Sequence, residues 1–399
     1  MQRVDGGVTA PKGFRAAGVR CGIKQAGPDL MLLASDVPAT AAGVFTTNAV
    51  KAAPVLLSRE RIDGGTAQVV IANSGNANAC TGAQGMADAD RMTELVASAL
   101  RLNKDEVLVA STGIIGQHLP MEKIETGIAV AVAALSFDGG DAAARAIMTT
   151  DTRPKSIAVE FETGGKSVRI GGMCKGVGML APNMATMLAF ITTDAKITPR
   201  ALRKCLARSA EISFNCVTVD GDMSTNDSAF ILANGMAENP VIDGEGPDTD
   251  EFQAALDTVT VHLAREIARD GEGATKLVEI CVNGAATADD ARSVAITIAN
   301  SPLVKTAIFG RDPNWGRVLA AAGRAGAQMD PDKTDLYFGD VRVFEQGEPT
   351  RVDAEEARRP MLADELVITV ELNIGEASAK VWTCDFSYDY VKINAEYHT

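Results

Sequence analysis

The sequence predicts a mixed α/β protein with helices packed outside its sheets, and three kinds of apolar pattern carry that prediction. In some stretches apolar residues recur at helical spacing, as at Met92, Leu95, Val96, Ala99 and Leu100, which places them on one face of a helix. In others they alternate with polar residues, as at Ile157, Val159 and Phe161, the period of a strand with one face in a core. In Ala185–Ile191 the run is almost continuously apolar, as in a strand covered on both faces.

In order along the chain, Gln68–Asn73 reads as a buried strand that ends in the turn Ser74–Gly82. The helix carrying Met92 to Leu100 follows. Glu106–Ala110 is a strand running into Ser111–Gly116, and Glu122–Leu135 is a helix with Ile124, Ile128, Ala131 and Leu135 on one face. A short helix, Asp141–Met148, leads to Thr149 and Thr150. Ile157, Val159 and Phe161 then pair with Val168 and Ile170 across the turn Thr163, Gly164, Gly165, a hairpin pattern. Thr198 and Pro199 give a cap and a first helical position for a helix carrying Leu202, Cys205, Leu206 and Ile212. Val241–Asp250, rich in glycine and aspartate, is the expected exposed loop, and Glu251–Arg269 a long helix. Strands are expected at Leu277–Val282 and Leu303–Phe309, and helices at Asp289–Ile298 and Trp315–Arg324. Leu366, Ile368, Val370 and Leu372 alternate, as do Ala379, Val381 and Thr383 beyond the turn at Gly375 and Glu376. That ending reads as an antiparallel hairpin.

At 399 residues with 46% hydrophobic content, the chain can bury a large core. The net charge of −14 and pI near 4.8 argue against nucleic acid, which needs a basic footprint. Seven widely spaced cysteines without a CxxC or Cys/His cluster give no metal site and fit a reducing cytoplasm. The start lacks the apolar core of a secretory signal, and no run reaches the length needed to cross a bilayer. The expectation is a soluble cytoplasmic enzyme acting on small polar molecules.

The chain is organised around Cys174–Asp194, CKGVGMLAPNMATMLAFITTD. A glycine-broken turn passes through Pro182 and Asn183 and enters an apolar strand just where Thr186 follows Ala185. An N-terminal nucleophile enzyme has this layout. There the hydroxyl attacks the carbonyl before it, the ester is hydrolysed, and the freed α-amine becomes the base for the same hydroxyl. An α-amine titrates near pH ~8, so part of it is free to take a proton at neutral pH. A buried strand with a threonine at its start has the same local pattern.

The rest of the chain bears on that choice. KGVGMLAPNMATMLAFITTDA resembles the self-cleavage segment of the glutamate N-acetyltransferases, or ornithine acetyltransferases, of arginine biosynthesis. FTTNAVKAAPV (Phe45–Val55), NSGNANACTG (Asn73–Gly82), STGIIG (Ser111–Gly116), TVDGDMSTNDS (Thr218–Ser228), RDGEGATK (Arg269–Lys276), GRDPNWGR (Gly310–Arg317) and CDFSYDYVKINAEYHT (Cys384–Thr399) are similar to further blocks of that family, in order. The resemblance implies a layered α/β sandwich cut between Ala185 and Thr186, with residues 1–185 as an α chain and 186–399 as a β chain. The two chains stay associated, usually as a heterotetramer.

The candidate residues have readings of their own. STGIIG after a strand can offer a hydroxyl and a backbone N–H to one point, as an oxyanion hole requires; a glycine-dependent turn looks the same, and the resemblance assigns Thr112 and Gly113 to the hole. Lys175 is either a surface lysine or a partner for an amino-acid carboxylate. KGVG lacks the order of a phosphate loop. Glu272 lies between glycines, solvated or facing a cationic substrate. The resemblance implies substrate contacts at Thr149, Lys175, Thr186, Glu272, Asn394 and Thr399, with Thr150 an alternative to its neighbour Thr149. His398 departs from the family pattern. Asp220, Asp222 and Asp227 lack the spacing of a calcium loop and read as holding turns through local backbone hydrogen bonds.

These readings converge on a self-processing acetyltransferase without a cofactor. N-acetylornithine would acylate Thr186, and glutamate would take the acetyl group; acetyl-CoA is a possible second donor. The alternatives are an N-terminal-threonine aminopeptidase or amidase, in which water replaces glutamate, and a binding protein that keeps the fold.

Overall fold

Alternation along five strands sorts their side chains into the layers of the protein, seen in a computed structural model that describes residues 1–181 and 187–396. The chain begins β1 (Gln2–Val4), β2 (Phe14–Val19), β3 (Leu30–Phe45), α1 (Ala53–Ile62), β4 (Thr66–Asn76), α2 (Gly82–Leu100), β5 (Val107–Ile114), α3 (Met121–Ala133), α4 (Gly140–Ala146), β6 (Lys155–Thr163) and β7 (Lys166–Lys175). It continues β8 (Leu188–Thr193), α5 (Pro199–Glu211), β9 (Ser228–Ala233) and α6 (Pro247–Arg269). These strands form one sheet in the order β1, β6, β7, β8, β9, β3, β4, β5, with β2 also paired to β3.

The long β3 changes partners part-way. On one edge Leu30 to Ser35 pair with β2 and Thr40 to Phe45 with β9; on the other β4 follows β3 from Leu30 to Thr40, its register shifting between Ala34 and Ala39, an irregularity that bends a strand. Met31, Leu33, Val70 and Leu108 from one half of the sheet share a cluster with Leu188, Phe190, Phe230 and Leu232 from the other. Their strand neighbours point the opposite way. Leu32, Val69, Ile71 and Val107 pack with Met92 and Val96 of α2 and Ile124 and Ile128 of α3. Ile157, Ile170, Ile191 and Ile231 pack with Leu202 and Leu206 of α5 and Phe252, Leu256 and Leu263 of α6. The result is helix, strand, strand, helix. Every residue of β8 and β9 is buried, which is why the β8 stretch is apolar without alternation.

The remainder is β10 (Leu277–Ala285), α7 (Ala288–Ala299), α8 (Pro302–Phe309), α9 (Trp315–Gly323), β11 (Asp335–Phe338), β12 (Val341–Glu345), β13 (Glu348–Pro349), α10 (Ala354–Arg358), β14 (Glu365–Glu371), β15 (Ala377–Cys384) and α11 (Tyr388–Glu396). Its sheet runs β13, β12, β11, β14, β10, β15. Val278, Ile280, Leu366, Ile368 and Val370 on the sheet meet Val294 and Ile298 of α7 and Val318 of α9.

Four expectations need correcting. Leu303–Phe309 is not a strand but lies within α8: the Ser301 hydroxyl accepts from Val304 N (3.4 Å), Pro302 opens the helix, and Val304 and Ile308, four apart, are buried while Leu303 is exposed. A short apolar run hides its period, and the Ser-Pro cap is the better signal. The last two strands are not a hairpin either. β10 lies between them, parallel to β14 and antiparallel to β15, so their partner comes from about ninety residues upstream. Ile212 caps α5 and is exposed. The end of Val241–Asp250 is already α6, opened by Pro247, and Ile242 is buried. The cap at Thr198, by contrast, is as read: its side chain accepts from Ala201 N.

One buried ion cluster joins the ends of these elements. The Lys155 ammonium, fully buried at the start of β6, lies 2.7 Å from Asp151 Oδ1 and 2.5 Å from Asp270 Oδ2. Asp151 Oδ1 also accepts from Gly176 N (2.9 Å), just past β7, and Asp270 Oδ2 accepts from Thr152 N (3.1 Å). Burial works against charge at Asp151, yet Lys155 and Lys175 hold its pKa down at about 2. Its contribution to stability is therefore complete above an unfolded-state pKa of about 4 and is lost as pH falls through the folded value. Replacing Lys155 with Met strands two carboxylates. Lys155→Met is expected to cost about 3–5 kcal/mol in urea unfolding at neutral pH; a loss under about 1 kcal/mol, the worth of an exposed pair, would mean that the cluster does not clamp these elements.

Candidate active site

The end of β5 makes one wall of a cleft. β4 and β5 run parallel until their register slips at Gly75 and Asn76, opposite Thr112, Gly113 and Ile114. Side chains of the surrounding blocks hold the slip open. Asn73 Nδ2 donates to Asn76 O (2.8 Å), Ser111 Oγ to Asn73 Oδ1 (2.7 Å), and Asn226 Nδ2 to Ala77 O (2.6 Å) and Ser111 O (2.8 Å). At Gly113, φ is +131° and a Cβ would sit 2.3 Å from Gly75 C. Only glycine fits there.

Lys175, the last residue of β7, reaches this wall. Its buried Nζ donates to Thr112 Oγ1 (3.3 Å), which occupies a lone pair of that hydroxyl and leaves its hydrogen free to donate. Burial pushes the ammonium pKa down, while Asp151, Asp227 and Glu272 pull it back.

The opposite wall is a turn following α6. Glu272 N donates to Val177 O (2.8 Å), so the turn lies against the loop leaving β7. A Cβ at Gly178 would come within 2.5 Å of the Glu272 carboxylate. Both oxygens of that carboxylate are held: Oε1 accepts from Thr150 Oγ1 (2.7 Å), and Oε2 from Asn394 Nδ2 (2.8 Å) on α11. Thr149 differs from its neighbour. Its backbone N–H donates to Asp151 Oδ2 (3.0 Å), and the residue lines the same cleft as Thr112, Gly113, Thr150, Lys175, Glu272 and Asn394. Six of the residues proposed from sequence thus meet in one place. Ala185, Thr186 and Thr399 lie outside the described residues.

Sequence reasoning missed what the TVDGDMSTNDS segment does. Asp220 accepts from Met179 N (2.6 Å) and Leu180 N (2.7 Å), and Asp227 Oδ1 from Met187 N (3.0 Å). The bond from Asp222 N to Asp220 (3.2 Å) is local; those from Met179, Leu180 and Met187 come from about forty residues upstream and hold both ends of the central loop. The same segment brings Ser224, Thr225 and Asn226 to the cleft. A run dense in Asp, Asn, Ser and Thr signals backbone hydrogen bonding but does not say to which backbone. Among the described residues no group of His, Cys, Asp and Glu is arranged to hold a metal, and no helix is long and apolar enough to cross a membrane.

Known proteins share this chain over its whole length. The model of the ArgJ family matches residues 15–399. The arginine biosynthesis bifunctional protein ArgJ of Symbiobacterium thermophilum is 55% identical, with 100% of both chains covered, and that of Caldanaerobacter subterraneus subsp. tengcongensis 50% identical, again with 100% of both covered. A crystal structure of the Bacillus halodurans ArgJ protein is 46% identical with a TM-score of 0.51; the match covers 52% of this chain and 98% of that one. With two full-length relatives at half identity or better and a family model spanning nearly every residue, the chain belongs to the ArgJ family, the bifunctional acyltransferases of arginine biosynthesis.

Proposed function

We propose that the chain is a precursor that cuts itself between Ala185 and Thr186, and that Thr186 then carries an acetyl group from N-acetylornithine to glutamate. The observation that carries this reading is the cleft itself. It sets a hydroxyl with a free hydrogen, Thr112, and a buried ammonium, Lys175, across from a carboxylate, Glu272, whose two oxygens are already oriented. An amino acid with a carboxylate at one end and an ammonium at the other fits that polarity. The half-length match to the Bacillus halodurans structure supports a precursor divided near its middle.

In this mechanism the Thr186 hydroxyl attacks the acetyl carbonyl carbon and gives its proton to the free α-amine of the same residue. The carbonyl oxygen gains negative charge and receives hydrogen bonds from the Thr112 hydroxyl and the Gly113 N–H. The α-nitrogen of ornithine leaves with the proton, and an acetyl ester remains on Thr186. Glutamate enters, its free α-amine attacks the ester carbonyl carbon, the proton it loses passes through the Thr186 α-amine to the Thr186 oxygen as that carbon–oxygen bond breaks, and N-acetylglutamate departs. Lys175 faces the substrate carboxylate and Glu272 the δ-ammonium of ornithine. Thr150 is engaged in orienting Glu272, which leaves the Thr149 hydroxyl for the substrate; Asn394 orients the same carboxylate from α11, and Thr399 completes the contacts at the chain end. Acetyl-CoA serves as a second donor to the same threonine, and the α and β chains pair as a heterotetramer in the cytoplasm. Full-length identity with bifunctional ArgJ proteins favours acyl transfer over hydrolysis by an aminopeptidase or amidase.

Thr186→Ala is expected to leave one 399-residue chain on a denaturing gel and no acetyl transfer; two chains from that variant would refute the cleavage site. Thr112→Ala is expected to lower kcat by ~10²-fold or more with little change in thermal midpoint, and unchanged turnover would return STGIIG to a structural turn. Glu272→Gln keeps an amide in place but loses the charge that faces the δ-ammonium. It should raise KM for N-acetylornithine by roughly ten- to a hundredfold, the worth of a charge-assisted hydrogen bond, while leaving cleavage complete. Equal KM values would remove Glu272 from the site.

A further inference from the structure

Asn226 lines the cleft but has no part in the steps above. The residue is 5% exposed, and both ends of its amide are engaged. Nδ2 gives one hydrogen to Ala77 O (2.6 Å) and the other to Ser111 O (2.8 Å), while Oδ1 accepts from Thr225 Oγ1 (2.5 Å). An amide nitrogen has two hydrogens, so both donors are spent inside the protein and none is left for a substrate. A side chain in that state acts through what it holds.

What it holds is the pair of strands at their register slip. Ala77 comes directly after Asn76, where β4 leaves the ladder, and Ser111 directly before Thr112 on β5. Ala77 N also donates to Ile114 O (2.9 Å). Thr112 and Gly113 therefore form a short arch, tied at one end through Ser111 O and at the other through Ile114 O. At Gly113, where φ is +131°, no side chain restrains the backbone, so the direction of its N–H depends on those ties. A misplacement of about 1 Å near reacting atoms can cost ~10²-fold in rate. The tie also crosses the proposed cut, since Asn226 follows position 186 while Ala77 and Ser111 precede it.

We propose that Asn226 is the positioning residue of the oxyanion hole, a role that rests on the assignment of Thr112 and Gly113 above. By holding Ala77 O and Ser111 O together it aims the Thr112 hydroxyl and the Gly113 N–H at one point. Its contribution is to turnover and not to binding, because the substrate is held by other side chains. The same arch serves both acylation of the enzyme and transfer to glutamate, since each step puts negative charge on the same acetyl oxygen.

A double-mutant cycle tests it. Wild type, Asn226→Ala, Thr112→Ala and the double variant are purified, and kcat and KM for N-acetylornithine and glutamate are measured per cut chain. Cleavage is needed once per chain, so a slowed precursor still matures during expression. Asn226→Ala should lower kcat by ~10- to 100-fold, with both KM values within about threefold of wild type. In the Thr112→Ala background the same substitution should cost at most about a third of that factor, because a hole that has lost one donor has less to lose. Damage to the fold would multiply both backgrounds alike, so equal factors would overturn the proposal. A wild-type kcat in Asn226→Ala, or a loss carried wholly by KM, would do the same. Asn226→Asp, which keeps the shape but loses both donors, should repeat the result; failure of both variants to mature would count against the role. Thr112→Ala turning over like wild type would remove the oxyanion hole and this role together, whereas a slow Thr112→Ala beside an unaffected Asn226→Ala would remove this role alone.

Discussion

The interaction on which the site depends is the burial of Lys155 between Asp151 and Asp270. An isolated ammonium cannot stay charged without water, and neither can the two carboxylates; each is tolerable only because the others are present. That mutual requirement fixes the segment after α4, the start of β6 and the end of α6 against one another. The cluster also reaches outward. Asp151 takes the N–H groups of Thr149 and Gly176, and Asp270 stands two residues before Glu272. Thr149, Lys175 and Glu272 are each within two residues of an atom of this cluster, so the walls of the cleft inherit its rigidity.

Charge is distributed across the cleft with the same economy. The cation and hydroxyl lie on the β5 and β7 side, the carboxylate on the turn after α6. Water is largely excluded from Lys175, which is 3% exposed, and in such surroundings fixed donors act more strongly than in water. Two glycines permit the approach. At Gly113 the strand comes too near the β4 backbone for a side chain, and at Gly178 the loop comes too near Glu272.

The central loop is held from outside. Asp220 binds its first residues through Met179 and Leu180, and Asp227 binds the entry to β8 through Met187. Both aspartates belong to the segment that leads into β9, the parallel neighbour of β8. The strands around the loop come from both sides of position 186, since β7 and β8 pair with each other and β3 pairs with β9. The proposed cut therefore runs through the middle of one sheet, which gives the α and β chains a reason to stay together.

Much of this was legible in the residues. Periodicity located the helices α2, α3, α5, α6, α7 and α9 and the β6–β7 hairpin, because each has one face in a core and one in water and the pattern of that division is local. The Thr198 cap and the glycine demand near Gly113 are likewise local. The motifs named the residues that converge on the cleft, from Thr112 to Asn394, though they are nearly three hundred positions apart. Tertiary structure decided the rest. The placement of β10 between β14 and β15, and the partner change along β3, are choices of register and neighbour that alternation does not encode, since either arrangement buries the same faces. A short apolar run such as Leu303–Phe309 satisfies helix and strand alike until a cap and a core select one. Asp227 looked like one more turn residue in a polar run; only the pairing of β8 with β9 set it beside Met187.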